Sequence, residues 1–242
     1  MPYLKLSALN IKHLRIFKGI FFLLFCLVFI SFSSEDYSFS DRDYAKYNWH
    51  TFSELPAVNQ IIDLNNIDYD LLNAAIFFAT NEQREKKNKP IFEFSAALRD
   101  AAKLHTEQMV ERNFFSHIGK TRKYKTPSER TAIFGIAKNA LIGENILLEF
   151  SLKYNHKKAY NVKVQDGKTM YYYMPSGQAI EMHTYWSFAQ AALDSWMHSP
   201  PHKKNILNSS FSKLGCSAIL DASTLNSKKR LPSFKATQNF SD

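Results

Sequence analysis

The sequence predicts an α+β fold, in which amphipathic helices pack against a sheet formed largely by the last third of the chain. Two observations carry this prediction: apolar residues recur at helical spacing before residue 112 and again after residue 186, and alternating apolar runs dominate after residue 213. Late strands with short turns favour an α+β sandwich over a doubly wound sheet. The 242 residues are 45% apolar and 22% charged, which excludes wholesale disorder and a polytopic membrane protein.

The first 33 residues have the pattern of an export signal. Four basic residues precede the first acid, Glu35, and lead into an apolar run over residues 20–32. This run of 13 residues is shorter than the roughly 20 that a membrane-spanning helix needs. Ser31 and Ser33 then occupy the small-residue positions of a cleavage site. Residues 1–33 are therefore predicted to be a signal peptide, with an uncleaved membrane anchor as the alternative.

Export implies a secreted, periplasmic or cell-surface protein that has no membrane span after cleavage. Removing residues 1–33 lowers the formal charge from +9 to +5, and the remaining basic residues form no long stripe with interleaved aromatics, which excludes nucleic acid as a partner. One cysteine, Cys216, then remains, so the fold depends on its core and not on an internal disulfide. Its apolar surroundings are typical of a buried strand and favour a structural role.

The first half of the chain predicts an extension followed by two helices. Residues 34–67 are rich in Ser, Asp, Asn and Tyr and predict a tether, or an extension lying on the domain surface. Asp68 can cap a helix that ends before Pro90, and Ser95 can start a second one. His105 lies on the apolar face of the second helix and is expected to be a core histidine bonded to a backbone carbonyl.

A turn-rich region and a hairpin are predicted next. Residues 121–140 are polar and turn-forming, and they lead to the block Gly143-Glu144-Asn145-Ile146. Asp166-Gly167 separates two alternating runs, which is the strongest local signal for a β-hairpin. We expect this hairpin, over residues 160–174, to project near the rim of a cleft, where its tyrosines either form an aromatic wall or cover a sheet edge.

The last third of the chain predicts one helix and two strands. The helix begins at about Ser187, carries Trp196 on its apolar face and stops at Pro200-Pro201. Strands are predicted over residues 214–220 and 231–240, with a polar turn between them.

Three of the eight histidines are candidates to meet in one site: His117, His198 and His202. The spacing of His198 and His202 matches the zinc-binding helix motif, but Ser199-Pro200-Pro201 cannot continue a helix and the motif's Glu is absent. A metalloprotease of that kind is therefore excluded. Nucleophilic catalysis has no support either, because the sequence contains no Gly-x-Ser-x-Gly elbow.

Seven blocks of sequence together carry a family resemblance. In chain order they are Asn81-Glu82-Gln83-Arg84, Leu98 with Ala101-Ala102 and His105, Phe115-Ser116-His117, Gly143-Glu144-Asn145-Ile146, Trp196 to Leu207, Gly215-Cys216-Ser217 and Thr237-Gln238-Asn239-Phe240. They resemble the CAP superfamily of cysteine-rich secretory, antigen 5 and pathogenesis-related proteins, in its bacterial, disulfide-free branch. The resemblance implies a three-layer α-β-α sandwich over residues 68–242, with an insertion at about 147–185 that contains the hairpin.

The resemblance also implies a central cleft lined by two histidines and two acids. Matched by position, three of them are His117, Glu144 and His202. The other acid belongs three residues after Trp196, where this chain has Ser199, and Pro201 replaces the usual glycine before the second histidine. The residues expected to support the cleft are Asn145, Ser199 and Trp196.

Several readings of this cleft stay open from the sequence. Two imidazoles and one carboxylate can hold a divalent metal such as zinc weakly, or they can bond to one another and to water. The first hypothesis is an exported, non-catalytic binding module for a lipid, another small apolar ligand, an envelope component or a protein. The alternative is a metal-assisted hydrolase using His117, Glu144 and His202. A purely structural cluster, in which Glu144 and Asn145 cap and pin a loop while the histidines close the cleft, stands level with the binding role, and catalysis ranks third.

Overall fold

The computed structural model describes residues 38–165, 168–225, 227 and 230–242. The α-helices in this part of the chain are α1 (Trp49–Ser53), α2 (Tyr69–Lys86), α3 (Ala96–Glu111), α4 (Pro127–Ile133), α5 (Tyr185–His198) and α6 (Pro200–Ile206). The strands are β1 (Glu93–Phe94), β2 (Ile142–Phe150), β3 (Tyr160–Gln165), β4 (Lys168–Tyr173), β5 (Lys213–Leu220) and β6 (Ser233–Ser241). The predicted signal peptide lies outside the described residues.

A four-stranded sheet in the order β1-β5-β6-β2 carries two of the predicted site residues, Glu144 and Asn145, on its last strand. β6 pairs antiparallel with both β5 and β2 and is buried along its whole length, whereas β2 is an edge strand. The register places Asn239 of β6 between Glu144 and Gly215. Gly215 is required because a Cβ atom there would lie 2.0 Å from the backbone nitrogen of Arg99 in α3.

Helices cover both faces of this sheet. Side chains alternate along β6, so Thr237 faces α3, where its hydroxyl lies 2.8 Å from that of Thr106. Gln238 faces the opposite side and donates to the hydroxyl of Thr80 in α2. α2 packs on α5 in this second layer. The predicted three-layer α+β architecture is therefore confirmed.

The three long helices begin at or close to the residues that the sequence predicts. The side chain of Asp68 accepts from the Leu71 backbone N–H at the start of α2, and Ser95 caps α3 in the same way. α5 begins slightly earlier than predicted, because Thr184 provides its cap. Pro200 both ends α5 and occupies the first position of α6, where its missing N–H has no helical role.

The segment before α2 is more deeply built into the fold than the sequence suggests. It was expected as a tether or a surface extension, yet Phe39, Phe52, Val58 and Ile62 are at most 2% exposed and belong to the main core. The ring of Phe52 stacks on Phe78 of α2 at a centroid distance of 4.3 Å. The polar composition conceals this role because only a few apolar anchors, irregularly spaced, make the contact.

The region predicted as polar turns, residues 121–140, contains helix α4. The helix forms because Thr126 and Glu129 make a capping box, in which each side chain bonds the backbone N–H of the other. Pro127 occupies the first turn, where proline is favoured. The expectation of turns alone was therefore wrong here, and the correction matters because α4 carries a residue of the site.

The predicted hairpin is present as β3 and β4. Gln165 pairs with Lys168, and the two turn residues between them lie outside the described residues. Tyr171 and Tyr173 are at most 8% exposed and form a second, smaller apolar cluster with Leu152, Ile180 and Leu231. These two tyrosines therefore pack in the apolar cluster that anchors the hairpin, and they do not form an exposed aromatic wall.

No helix in the described ranges is long and apolar enough to cross a membrane.

Replacing Phe52 with alanine tests whether the N-terminal segment is part of the core. We expect a loss of about 3–5 kcal/mol in the free energy of unfolding, because the ring is fully buried against α2. Phe115→Ala is the control, since Phe115 is 50% exposed and its loss should cost about 1 kcal/mol or less. Urea denaturation measures both. If both variants lost the same small amount of unfolding free energy, residues 38–67 would be a surface extension and not part of the core.

Candidate functional site

A buried ion pair between Glu144 and Arg130 forms the base of the candidate site. Glu144 lies opposite Asn239 in the sheet, and its side chain, 2% exposed, is on the α3 face. Arg130 comes from α4 and is fully buried, and its Nη2 atom lies 2.7 Å from Oε2 of Glu144. The same guanidinium donates to the backbone carbonyls of His117 and Lys125. Arg130 therefore joins α4, β2 and the loop that carries His117.

His117 is held by the other oxygen of the same carboxylate. Its Nδ1 atom lies 2.9 Å from Oε1 of Glu144. An ionised carboxylate can only accept, so Nδ1 carries the proton in this contact, and Nε2 of the neutral ring is an acceptor. The side chain of His117 is 47% exposed, which makes it accessible to a ligand.

Two further residues complete the surroundings of Glu144. Asn239, with its amide orientation assigned from the hydrogen-bond network, donates to Oε2 of Glu144 at 3.2 Å and accepts from the backbone N–H of Ala102 at 3.0 Å. His105 donates from Nε2 to the carbonyl of Ser116 at 3.0 Å, as expected for a core histidine, and lies 3.8 Å from Glu144. Arg130, His117 and Asn239 thus bond both carboxylate oxygens.

Burial keeps His105 neutral. Its ring is fully buried, and the resulting desolvation lowers its pKa to about 4. The carboxylate of Glu144 opposes this shift, whereas the positive charge of Arg130 adds to it. His105 is therefore an uncharged packing partner of the site at neutral pH.

The opposite face of β2 attaches α5 and α6 to the site. Asn145 donates to the backbone carbonyl of His202 at 3.2 Å and accepts from Asn205 at 2.9 Å. Asn205 also donates to the backbone carbonyl of Glu144, and Trp196 donates from its indole to the carbonyl of Ile146. Side chains thus cap two carbonyls of this edge strand, which protects the edge and fixes α6 beside it.

The structure places the remaining predicted residues around this frame. His202 is partly buried on α6, and burial together with the nearby His117 lowers its pKa. Ser199 is the N-cap residue of α6, and its carbonyl accepts from the backbone N–H of Lys203. His198 bonds the carbonyl of Asp194 on its own helix, and its side chain is 78% exposed. His117 and Glu144 therefore meet directly with His202 nearby, and His198 bonds within its own helix.

The donor set does not fit a metal ion. Both oxygens of Glu144 are engaged, and the Arg130 guanidinium beside them places a fixed positive charge where a cation would have to bind. The unprotonated Nε2 atom of His117 is exposed, but with Glu144 engaged only the imidazoles of His117 and His202 remain as ligands, which is fewer than the three protein ligands of a catalytic zinc site. In the described part of the chain, no group of three His, Cys, Asp or Glu side chains is placed to hold a metal ion.

Sequence reasoning missed Arg130 and set His105 aside from the site. The available signal for Arg130 was the Thr126-to-Glu129 capping box, which predicts a helix and so a defined position for the arginine after it. Asn239 lies in the Thr237-Gln238-Asn239-Phe240 block, whose sequence indicates no partner for its side chain. Its placement opposite Glu144 follows only from the strand register.

Comparison with known proteins identifies the family and several structural relatives. The model of the cysteine-rich secretory protein family, CAP, matches residues 77–239. An extracellular protein containing a SCP domain from Bacillus anthracis is 24% identical, with a TM-score of 0.47 over 72% of this chain and 41% of that one. An outer surface protein from Borrelia burgdorferi is 14% identical, with a TM-score of 0.44 over 76% of this chain and 98% of that one.

A cysteine-rich secretory protein from Staphylococcus aureus is 13% identical, with a TM-score of 0.42 over 72% of this chain and 38% of that one. The chain thus spans less than half of the Bacillus and Staphylococcus proteins. No curated protein sequence matches the chain.

Acid should destabilise the fold through its buried histidines. Desolvation lowers the pKa of both His105 and His183 to about 4, and an unfolded histidine titrates near pH 6.5. The unfolded state therefore binds more protons between these values, so the stabilisation is complete above about pH 6.5 and is lost as the pH falls towards 4. Protonation of each histidine should therefore lower the free energy of unfolding by about 2 kcal/mol as the pH falls from 7 to 5.

Urea denaturation of the protein and of His183→Gln at both pH values measures this effect. The variant should lose about 2 kcal/mol less than the unmodified protein on acidification. An identical loss in both would contradict the assignment of His183 as a buried, neutral ring.

Proposed function

Since this chain belongs to the cysteine-rich secretory protein (CAP) family, we propose that it is an exported, non-catalytic binding module whose ligand lies in the cleft at His117 and His202. The match to the family model, over residues 77–239, covers about two thirds of the chain and includes both histidines. Export rests on the signal-peptide pattern of residues 1–33. The ligand that we propose is a polar component of the cell envelope.

The occupied carboxylate of Glu144 is the observation that carries this proposal. Arg130, His117 and Asn239 bond both of its oxygens, so the carboxylate is a fixed part of the frame. A general base or a metal ligand needs a free oxygen directed at the substrate. What this frame does provide is a half-exposed imidazole in one orientation, which suits it to bond a bound ligand.

The chemistry of the remaining groups agrees with a binding role. Cys216 is 2% exposed on β5, and burial raises the pKa of its thiol, so it stays protonated within the core. The metal-assisted hydrolase would need Glu144 as a ligand beside His117 and His202, and the Arg130 guanidinium occupies that position.

Sedimentation with cell-envelope material from the organism that encodes the chain tests the proposal. The purified protein should sediment with this material, and His117→Ala and His202→Ala should each reduce the bound fraction by at least fivefold. His198→Ala is the matched control, because His198 lies only four residues before His202 but bonds a backbone carbonyl of its own helix, α5. It should bind like the unmodified protein.

Folding of each variant is checked by thermal unfolding before binding is compared. Equal sedimentation of all four proteins would contradict a ligand site at these histidines. Release of soluble fragments from the envelope material by the unmodified protein, but not by His117→Ala, would contradict the non-catalytic assignment.

A further inference from the structure

We infer that the ligand of this cleft is an anionic glycan, a polymer whose sugar repeats carry carboxylate or phosphate groups. This inference rests on the proposed binding function and names its ligand class. It starts from six exposed cations around the cleft, here called the basic rim: Lys120, Arg122, Lys123, Lys125, Lys203 and Lys204.

Positive charge is concentrated in the two segments that frame the site. Residues 112–140 contain seven Lys or Arg and one acid, and residues 195–220 contain three Lys and no acid. By contrast, residues 38–111 contain eight Lys or Arg and twelve acids. Positive charge is therefore unevenly distributed along the chain, with residues 151–170, which hold five Lys and one acid, as a further basic stretch.

Each part of the basic rim adjoins one of the two histidines. Lys120 to Lys125 belong to the loop that follows His117, and Gly119 closes this loop by donating to the Lys125 carbonyl at 2.8 Å. Lys203 and Lys204 directly follow His202 on α6, which Asn145 holds against β2. His117 lies near enough to His202 to lower its pKa, so the two groups of cations adjoin one pair of histidines.

The rim cations are available for a ligand. Within the described ranges, no carboxylate forms an ion pair with any of the six. Three acids near these segments are otherwise engaged: Glu129 accepts from the backbone N–H groups of Lys125 and Thr126, Glu144 pairs with Arg130, and Asp194 lies 3.3 Å from His198. Lys120 donates to the backbone carbonyl of Arg112 at 3.1 Å and keeps its charge in that contact. Exposed cations without a carboxylate partner create a field that attracts polyanions.

The site offers hydrogen bonding as well as charge. Because Nδ1 of His117 faces Glu144, its Nε2 atom can accept from a ligand hydroxyl. Sugar repeats supply such hydroxyls, together with negative groups that can pair with the cations of the basic rim. Single-stranded nucleic acid fits less well, since it depends on aromatic stacking and residues 117–125 contain one aromatic, Tyr124, while residues 199–205 contain none.

Fluorescence anisotropy with a labelled polygalacturonate oligomer at pH 7.5 tests the inference. The rim variant replaces Arg122, Lys123, Lys203 and Lys204 with Gln, and it should bind at least tenfold more weakly than the unmodified protein. The slope of log affinity against log salt should also become shallower by about three, because each removed phosphate or carboxylate contact contributes roughly 0.7.

The matched control removes four exposed cations of the N-terminal segment, the end of α2 and α3, by replacing Arg42, Lys46, Lys87 and Lys103 with Gln. This variant has the same net charge as the rim variant, and its affinity should fall less than threefold. Equal weakening of the two variants would contradict a specific rim. So would equal binding of neutral dextran, or tighter binding of single-stranded DNA with the same number of charges.

His117→Ala separates this inference from the proposed function. The variant should weaken polygalacturonate binding at least threefold without changing the salt slope. If the envelope material binds through His117 but polygalacturonate does not bind, the ligand class is wrong and the binding function remains. If polygalacturonate binding is weakened in the rim variant but unchanged in His117→Ala, the proposed ligand site at His117 is wrong, and the basic rim is only a surface that binds polyanions.

Discussion

The buried pair between Arg130 and Glu144 is the interaction on which the cleft depends. Removing two charges from water costs several kcal/mol per ion, so each must be bonded by partners of good geometry. Arg130 meets this requirement with one carboxylate and two backbone carbonyls, and Glu144 with Arg130, His117 and Asn239. Since these partners come from α4, β2, β6 and the loop before α4, the pair fixes four separate segments relative to one another. The exposed position of His117 follows from this frame.

Most of the fold could be predicted because its signals are local. Caps at Asp68 and Ser95, the Asp166-Gly167 dipeptide and Pro200 each act through their immediate neighbours, and the elements lie where they indicate. The N-terminal segment and α4 could not be recognised in the same way. Burial of the former depends on packing against α2, which is distant in sequence. The periodicity of α4 is hidden because its buried residues are an arginine and a threonine.

The site was predictable only in part, for a related reason. Family resemblance points to His117, Glu144 and His202 through short motifs, but it does not give the state of the carboxylate between them. That state depends on Arg130, whose contact with Glu144 arises from tertiary structure. The missing acid at Ser199 suggested a weakened metal site, whereas the arginine explains physically why the cluster is suited to hydrogen bonding.

The tautomer of His117 provides the most direct test of this account. Long-range ¹H–¹⁵N correlation spectra of the ¹⁵N-labelled protein, recorded at a pH where the ring is neutral, distinguish a protonated Nδ1 from a protonated Nε2. Nδ1 is expected to carry the proton, because it lies 2.9 Å from Oε1 of Glu144, whose other carboxylate oxygen accepts from Arg130. A proton on Nε2 would show that Glu144 does not orient the ring, and it would contradict the proposed construction of the site.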